Sequence, residues 1–180
     1  SMTVNSLRED GIESMALNSY LAHIGTSESF GPCLNLDALA VNFDISHTGR
    51  GTPKFDPEQL KTLNAALLHA MPFEDVHERF SGMGLQHANV DFWCAVRSNL
   101  EQFDDVTLWH KVCFDDIETV IEDVSFASEI ADLLPAEPWD ETTWKKWTDK
   151  IKVELGYKGK DLFLPLRLAL SGLDYGPELR

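Results

Sequence analysis

The chain has 180 residues, 43% of them apolar, and a formal net charge of −15. Such a length and apolar share support the buried core of one large domain or two small ones. No apolar run reaches the roughly twenty residues that cross a bilayer, and no charged n-region with an apolar h-region opens the chain, so neither a membrane span nor a signal peptide is expected.

Ser1-Met2 reads as a tag remnant followed by a start residue and carries no fold information. The three cysteines, Cys33, Cys94 and Cys113, are odd in number and far apart. They are expected to be reduced and mostly buried thiols of a cytoplasmic protein. The charge is unevenly spread: residues 1–144 carry 7 basic and 25 acidic side chains, and residues 145–180 carry 8 basic and 5 acidic. This asymmetry can confine an anionic ligand to one end of an otherwise repelling molecule; a solvated basic helix face is the plainer reading.

In chain order, Met15, Leu17, Tyr20, Leu21 and Ile24 recur at helical spacing and stop at Gly25, a residue suited to a left-handed cap. Leu36, Leu39, Ala40 and Phe43 predict a short second helix. Asp56-Pro57 combines an N-cap side chain with proline at the first helical position, ahead of Leu60, Leu63, Leu67 and Leu68. Pro72 interrupts that helix, and a boundary is expected near it. Val90, Trp93, Val96 and Leu100 predict the next helix, and "DDVTLWHKVCF" another. The acidic stretch from Asp115 to Pro138 reads as one or two helices ending at Pro135. Trp144, Trp147, Ile151 and Leu155 mark a helix stopped by Gly156, and Leu162 to Leu170 mark the last. No segment alternates with a period of two between hairpin turns, so the fold class is all-α. Two lobes joined near Met71 to Phe73 are expected, with Trp93, Trp144 and Trp147 all inside the second.

Catalytic candidates fall away on physical grounds. His23-Ile24-Gly25 reproduces three letters of the HIGH signature with which class I aminoacyl-tRNA synthetases hold ATP, but it sits at the end of a helix. The helix dipole there is negative and repels a triphosphate. Glu74-x-x-His77 has the spacing of di-iron bundles, which would put both side chains on one helix face, yet its only partner in the sequence is Asp44-x-x-His47 on a loop. No HExxH, P-loop, GxGxxG or GxSxG is present. His110, beside Trp109, is expected on a helix surface. No metal site and no catalytic residue are expected.

The C-terminal stretch "GYKGKDLFLPLRLALSGLDYGPELR" is distinctive. Lys158 and Lys160 lead into an apolar helix that holds Arg167 and Pro165, followed by a Gly176-Pro177 turn. A core helix with a snorkelling arginine explains it structurally. Its pattern, G-x-K-G-K-x-L-F-x-P-L-R-x-A-L-[ST]-G-x-x-x-G-P-[EA]-L, closely resembles the C-terminal segment of bacterial glutamyl-tRNA synthetases. "SLREDGIESMALNSYLAHIGTS" resembles the stretch that follows the catalytic loop of that family. "FDPEQLKTLNAALLHAMPFEDV" resembles the next, with its F-D-x-x-x-L-x-x-L-N signature. The three occur in the family's order.

The resemblance implies an all-α tRNA-binding part, with residues 1–71 a stem-contact helical region and residues 72–180 an α-helical anticodon-binding domain. It implies RNA contacts at Arg167, Gly176, Pro177 and Leu179. The basic lead-in, Lys158 and Lys160, is counted with them, and by a looser alignment so is Arg97. It implies a glutamate-accepting tRNA as partner, no DNA or membrane partner, and a monomer in the cytoplasm. ATP and magnesium would serve the full-length parent and no cofactor this part, which alone would be inactive as a ligase. A free-standing acidic helical adaptor that has lost RNA binding stays open as the alternative.

Overall fold

The structure, a computed structural model, describes residues 3–26, 31–49 and 51–176. Ten α-helices and several 3-10 turns make up these residues, with no strand among them and a single isolated bridge between Thr26 and Thr48. Two compact units form the chain, Ser1–His110 and Lys111–Arg180.

The first unit holds α1 (Val4–Glu9), α2 (Ser14–His23), α3 (Leu36–Asn42), α4 (Pro57–Ala70), α5 (His77–Gly82) and α6 (Val90–Val96); α7 (Val106–Phe114) begins in it and crosses the division. Asp56 caps α4 as its sequence demands, accepting from the backbone N–H groups of Glu58 and Gln59, and the helix ends before Pro72. Ala16 and Tyr20 of α2 pack on Leu60, Leu63 and Leu67 of α4. The buried Tyr20 hydroxyl accepts from the Asp56 N–H at 2.7 Å, so it ties α2 to the start of α4. Asn64 is fully buried and links three segments: its Oδ1 accepts from Glu13 N, and its Nδ2 donates to the carbonyls of Gly11 and Glu101. Phe80, Phe92, Trp93 and Phe103 form an aromatic cluster with ring centroids 5.6 to 6.2 Å apart.

The second unit holds α8 (Val124–Asp132), α9 (Thr143–Glu154) and α10 (Lys160–Ser171). Phe126, Ile130, Trp147, Ile151, Leu162 and Leu166 form its core, and Trp147 Nε1 donates to the Ile130 carbonyl at 2.7 Å. The acidic stretch supplies one helix, α8, capped by Asp123; residues 117–121 run without helix alongside α10, where Val120 N donates to the Leu168 carbonyl at 3.1 Å.

Several expectations need correction. The compact units part at His110/Lys111, within α7. Of the three tryptophans expected in the second lobe, Trp93 belongs to the first unit, and Trp144 and Trp147 belong to the second. The reason is a pair of long-range hydrogen bonds: Trp93 Nε1 and Arg97 Nη1 both donate to the Met71 carbonyl, at 2.8 and 3.0 Å. They bind the residues on either side of Pro72 into one body. Of the cysteines only Cys33 is buried; Cys94 and Cys113 are exposed, because α6 and α7 turn Trp93 and Trp109 inward instead. Partial burial still pushes the Cys113 thiol up. His110 is buried rather than on a surface, with Nε2 on the Gln86 carbonyl and its ring edge-on to Phe92. The short helices α1 and α5, six residues each, add to the elements expected from apolar spacing.

Candidate nucleic-acid interface

α10 carries Lys160 and Arg167 of the predicted site, and its sequence explains its limits. Gly159 precedes it at φ +57°, and Gly172 ends it at φ +70°, in the left-handed region where a Cβ is costly. A side chain at Gly172 would also collide with the Glu118 carbonyl oxygen, so glycine is required twice over. Ser171 Oγ donates back to the Arg167 carbonyl at 2.8 Å and accepts from Leu173 N at 3.3 Å, closing the last turn. Pro165 lies inside the helix and removes the donor that would have met the Asp161 carbonyl. Leu162 and Leu166, on the same helix, are completely buried.

Lys160 is the first residue of α10 and is exposed; Lys158 is exposed two residues earlier. Arg167 is half-buried, and Lys160 and Arg167 lie on one side of the helix by their spacing. Gly176 takes φ +136°, a conformation open to glycine. Pro177 and Leu179 lie outside the described residues. Arg97 is elsewhere, in a 3-10 turn of the first unit, with its guanidinium on the Met71 carbonyl. Lys158, Lys160, Arg167 and Gly176 belong to the second unit, the two lysines at the start of α10 and Gly176 beyond its end, and Arg97 belongs to the first. Sequence reasoning missed Phe163, which is 38% exposed between the two cations of α10. The signal was available, since an aromatic residue at the third position after Lys160 shares its face.

His23 is buried at the end of α2 and Nδ1 donates to the Ser19 carbonyl at 2.8 Å, so its ring is not presented to a phosphate. The Glu74/His77 pair does not share an α-helix, because Glu74 sits in a 3-10 turn and His77 opens α5. No group of three or more metal-ligating side chains is found among the described residues. The same residues offer no helix long and apolar enough to cross a membrane. A cleft of about 430 Å³ in the first unit is lined by Arg8, Glu13, Arg79 and Phe103, but its Arg79 is engaged internally. That guanidinium pairs with Glu13 at 2.9 Å and lies 3.5 Å from the Phe103 ring centroid.

Comparison with known proteins decides between relatives. The chain is 48% identical over 178 residues to glutamate–tRNA ligase 1 of Parvibaculum lavamentivorans, covering 99% of this chain and 39% of that protein. The chain is homologous to part of the glutamate–tRNA ligases. It is also 46% identical over 184 residues to glutamate–tRNA ligase 1 of Brucella ovis and of Brucella suis, covering 99% of this chain and 40% of each relative. The chain thus spans about two fifths of the length of these ligases and corresponds to a C-terminal part of them. No family model matches it. The all-α fold agrees with the fold implied by the sequence resemblance.

Proposed function

We propose that this chain is the tRNA-binding part of a glutamate–tRNA ligase, which in full length joins glutamate to its tRNA with ATP and magnesium. The observation that carries the reading is identity of nearly one half along 99% of the chain to ligases of that name. The cations of α10 and the lysine-rich α9 support it, because phosphate contacts supply most of the affinity for RNA. In this reading Arg167 meets unpaired anticodon bases, the turn at Gly176, Pro177 and Leu179 completes the pocket, and Lys158 and Lys160 hold backbone phosphates. Arg97 contributes from the first unit. Residues 1–71 contact the stem and residues 72–180 the anticodon arm, a division along the RNA rather than between compact units. The protein acts as a monomer in the cytoplasm.

The experiment is binding of glutamate-accepting tRNA by the purified chain, compared with a tRNA of another specificity, with ATP–pyrophosphate exchange measured in parallel. Preferential binding without exchange is expected. Equal affinity for both tRNAs overturns the glutamate-specific reading, and no affinity for either favours the acidic adaptor, whose motivation is the 18 excess acids of residues 1–144.

A further inference from the structure

The surface of α10 divides into three strips. Leu162 and Leu166 point into the core of the second unit. Pro165, Leu168 and Ala169 face Val120, Ile121 and Phe126, and the Glu118 backbone closes over Gly172. The third strip holds Lys160, Phe163 and Arg167, spaced by three and four residues and therefore one above another on the helix. Phe163 leaves 38% of its surface in solvent there. Beside it stand two side chains of α9. The Trp144 ring lies 6.3 Å from the Phe163 ring, tilted by 39°, and Lys152 Nζ is 5.6 Å from the same ring centroid.

We propose that this strip, centred on Phe163 and flanked by Trp144, Lys152, Lys160 and Arg167, is a stacking platform for unpaired RNA bases. The proposal rests on the tRNA-binding reading and adds to it the residues that receive bases by their faces. An exposed ring bordered by cations on several sides suits a nucleotide, whose base is flat and apolar and whose phosphate is anionic. Aromatic contact is tolerant of base identity, so the platform would supply affinity while other contacts supply discrimination. The charge around it assigns the direction of the backbone. Glu118, Glu122 and Asp123 belong to the segment that covers the opposite flank of α10, and they repel phosphate from that side. Lys160 and Lys152, the latter exposed in part and paired with Asp149 at 2.9 Å, border the open side, so the phosphates run past Lys160 toward Lys152 and the bases turn inward to Phe163. A protein partner docking through the aromatic rings alone would have no use for this ring of cations.

The test is fluorescence anisotropy of a labelled anticodon-arm hairpin with the full chain and its Phe163→Tyr, Phe163→Leu and Phe163→Ala variants. Intact tRNA and a fully paired duplex serve as comparisons, and each variant's melting is followed by circular dichroism. Phe163→Leu keeps the apolar packing and removes the ring, so it separates stacking from folding. The expected result is about a ten-fold loss of hairpin affinity for the leucine and alanine variants, retention by the tyrosine variant, and quenching of tryptophan emission when the wild type binds. Wild-type affinity in folded Phe163→Leu overturns the platform and leaves the tRNA-binding reading standing. Binding of intact tRNA without the hairpin also overturns the platform alone. Failure of the wild type to bind either RNA overturns both.

Discussion

Arg97 donates through Nη1 to the carbonyl oxygen of Met71 at 3.0 Å, sharing that acceptor with Trp93 Nε1 at 2.8 Å. The oxygen lies just past the end of α4, where helical carbonyls lack intrahelical donors, so two side chains of α6 and its following turn satisfy it. Arg97→Ala should therefore cost about 1–2 kcal/mol of stability, the range for a partly exposed hydrogen bond to a charged donor. Chemical denaturation checks this. A role in RNA recognition would appear separately, as a loss of tRNA affinity larger than the stability change explains.

Asn64 shows a stronger case of the same kind. Its amide holds Glu13 N, the Gly11 carbonyl and the Glu101 carbonyl from a position with no solvent access. Asn64→Ala should cost about 3 kcal/mol, because it leaves buried polar groups unmet and a small void. Urea titration followed by tryptophan fluorescence measures the loss, and an unchanged midpoint would show that water replaces the amide.

Arg167→Ala should lower affinity for glutamate-accepting tRNA about ten- to a hundred-fold, by analogy with base readout and stacking contacts of about 1–3 kcal/mol. Lys160→Ala should cost less and reduce the slope of log affinity against log salt by about one phosphate contact. Titrations at two salt concentrations distinguish them. Equal affinity for wild type and a folded Arg167→Ala would make Arg167 a helix residue without RNA function.

Stability should fall with acidification partly through Asp140. Hydrogen bonds from Thr142, first from its side chain and then from its backbone, hold the Asp140 carboxyl below the ordinary carboxylate range. A folded-state value below the unfolded one stabilises the protein above the unfolded value, and the contribution is lost as pH falls through the folded value. Melting temperatures of wild type and Asp140→Ala should accordingly converge at strongly acidic pH and differ near neutrality. A constant difference would remove the carboxylate from the explanation.

The F-D-x-x-x-L-x-x-L-N signature shows how closely the sequence resemblance tracks structure. Asp56 caps α4, Leu60 and Leu63 fill the core against α2, and Asn64 ties three segments together. Phe55 stacks edge-on against Tyr20 at 5.1 Å. Each of these five residues has a local or packing role, which ties the signature to the fold of the first unit.

The sequence by itself determined the helical class and the Asp56-Pro57 start of α4, and its three motifs in order carried the resemblance to the glutamate–tRNA ligases. The first two depend on a cap, a proline and a 3.6-residue apolar period, which act within a few residues of one another. Tertiary structure decided what is joined across longer separations. The Met71 carbonyl is captured by Trp93 and Arg97, which joins the residues on either side of Pro72 within one compact unit. His110 is drawn inward by Gln86 and Phe92, and Phe163 is left on the surface because Leu162 and Leu166 already fill the core. Spacing along a helix tells which side chains share a face, but only the neighbours packed against that helix determine which face meets water.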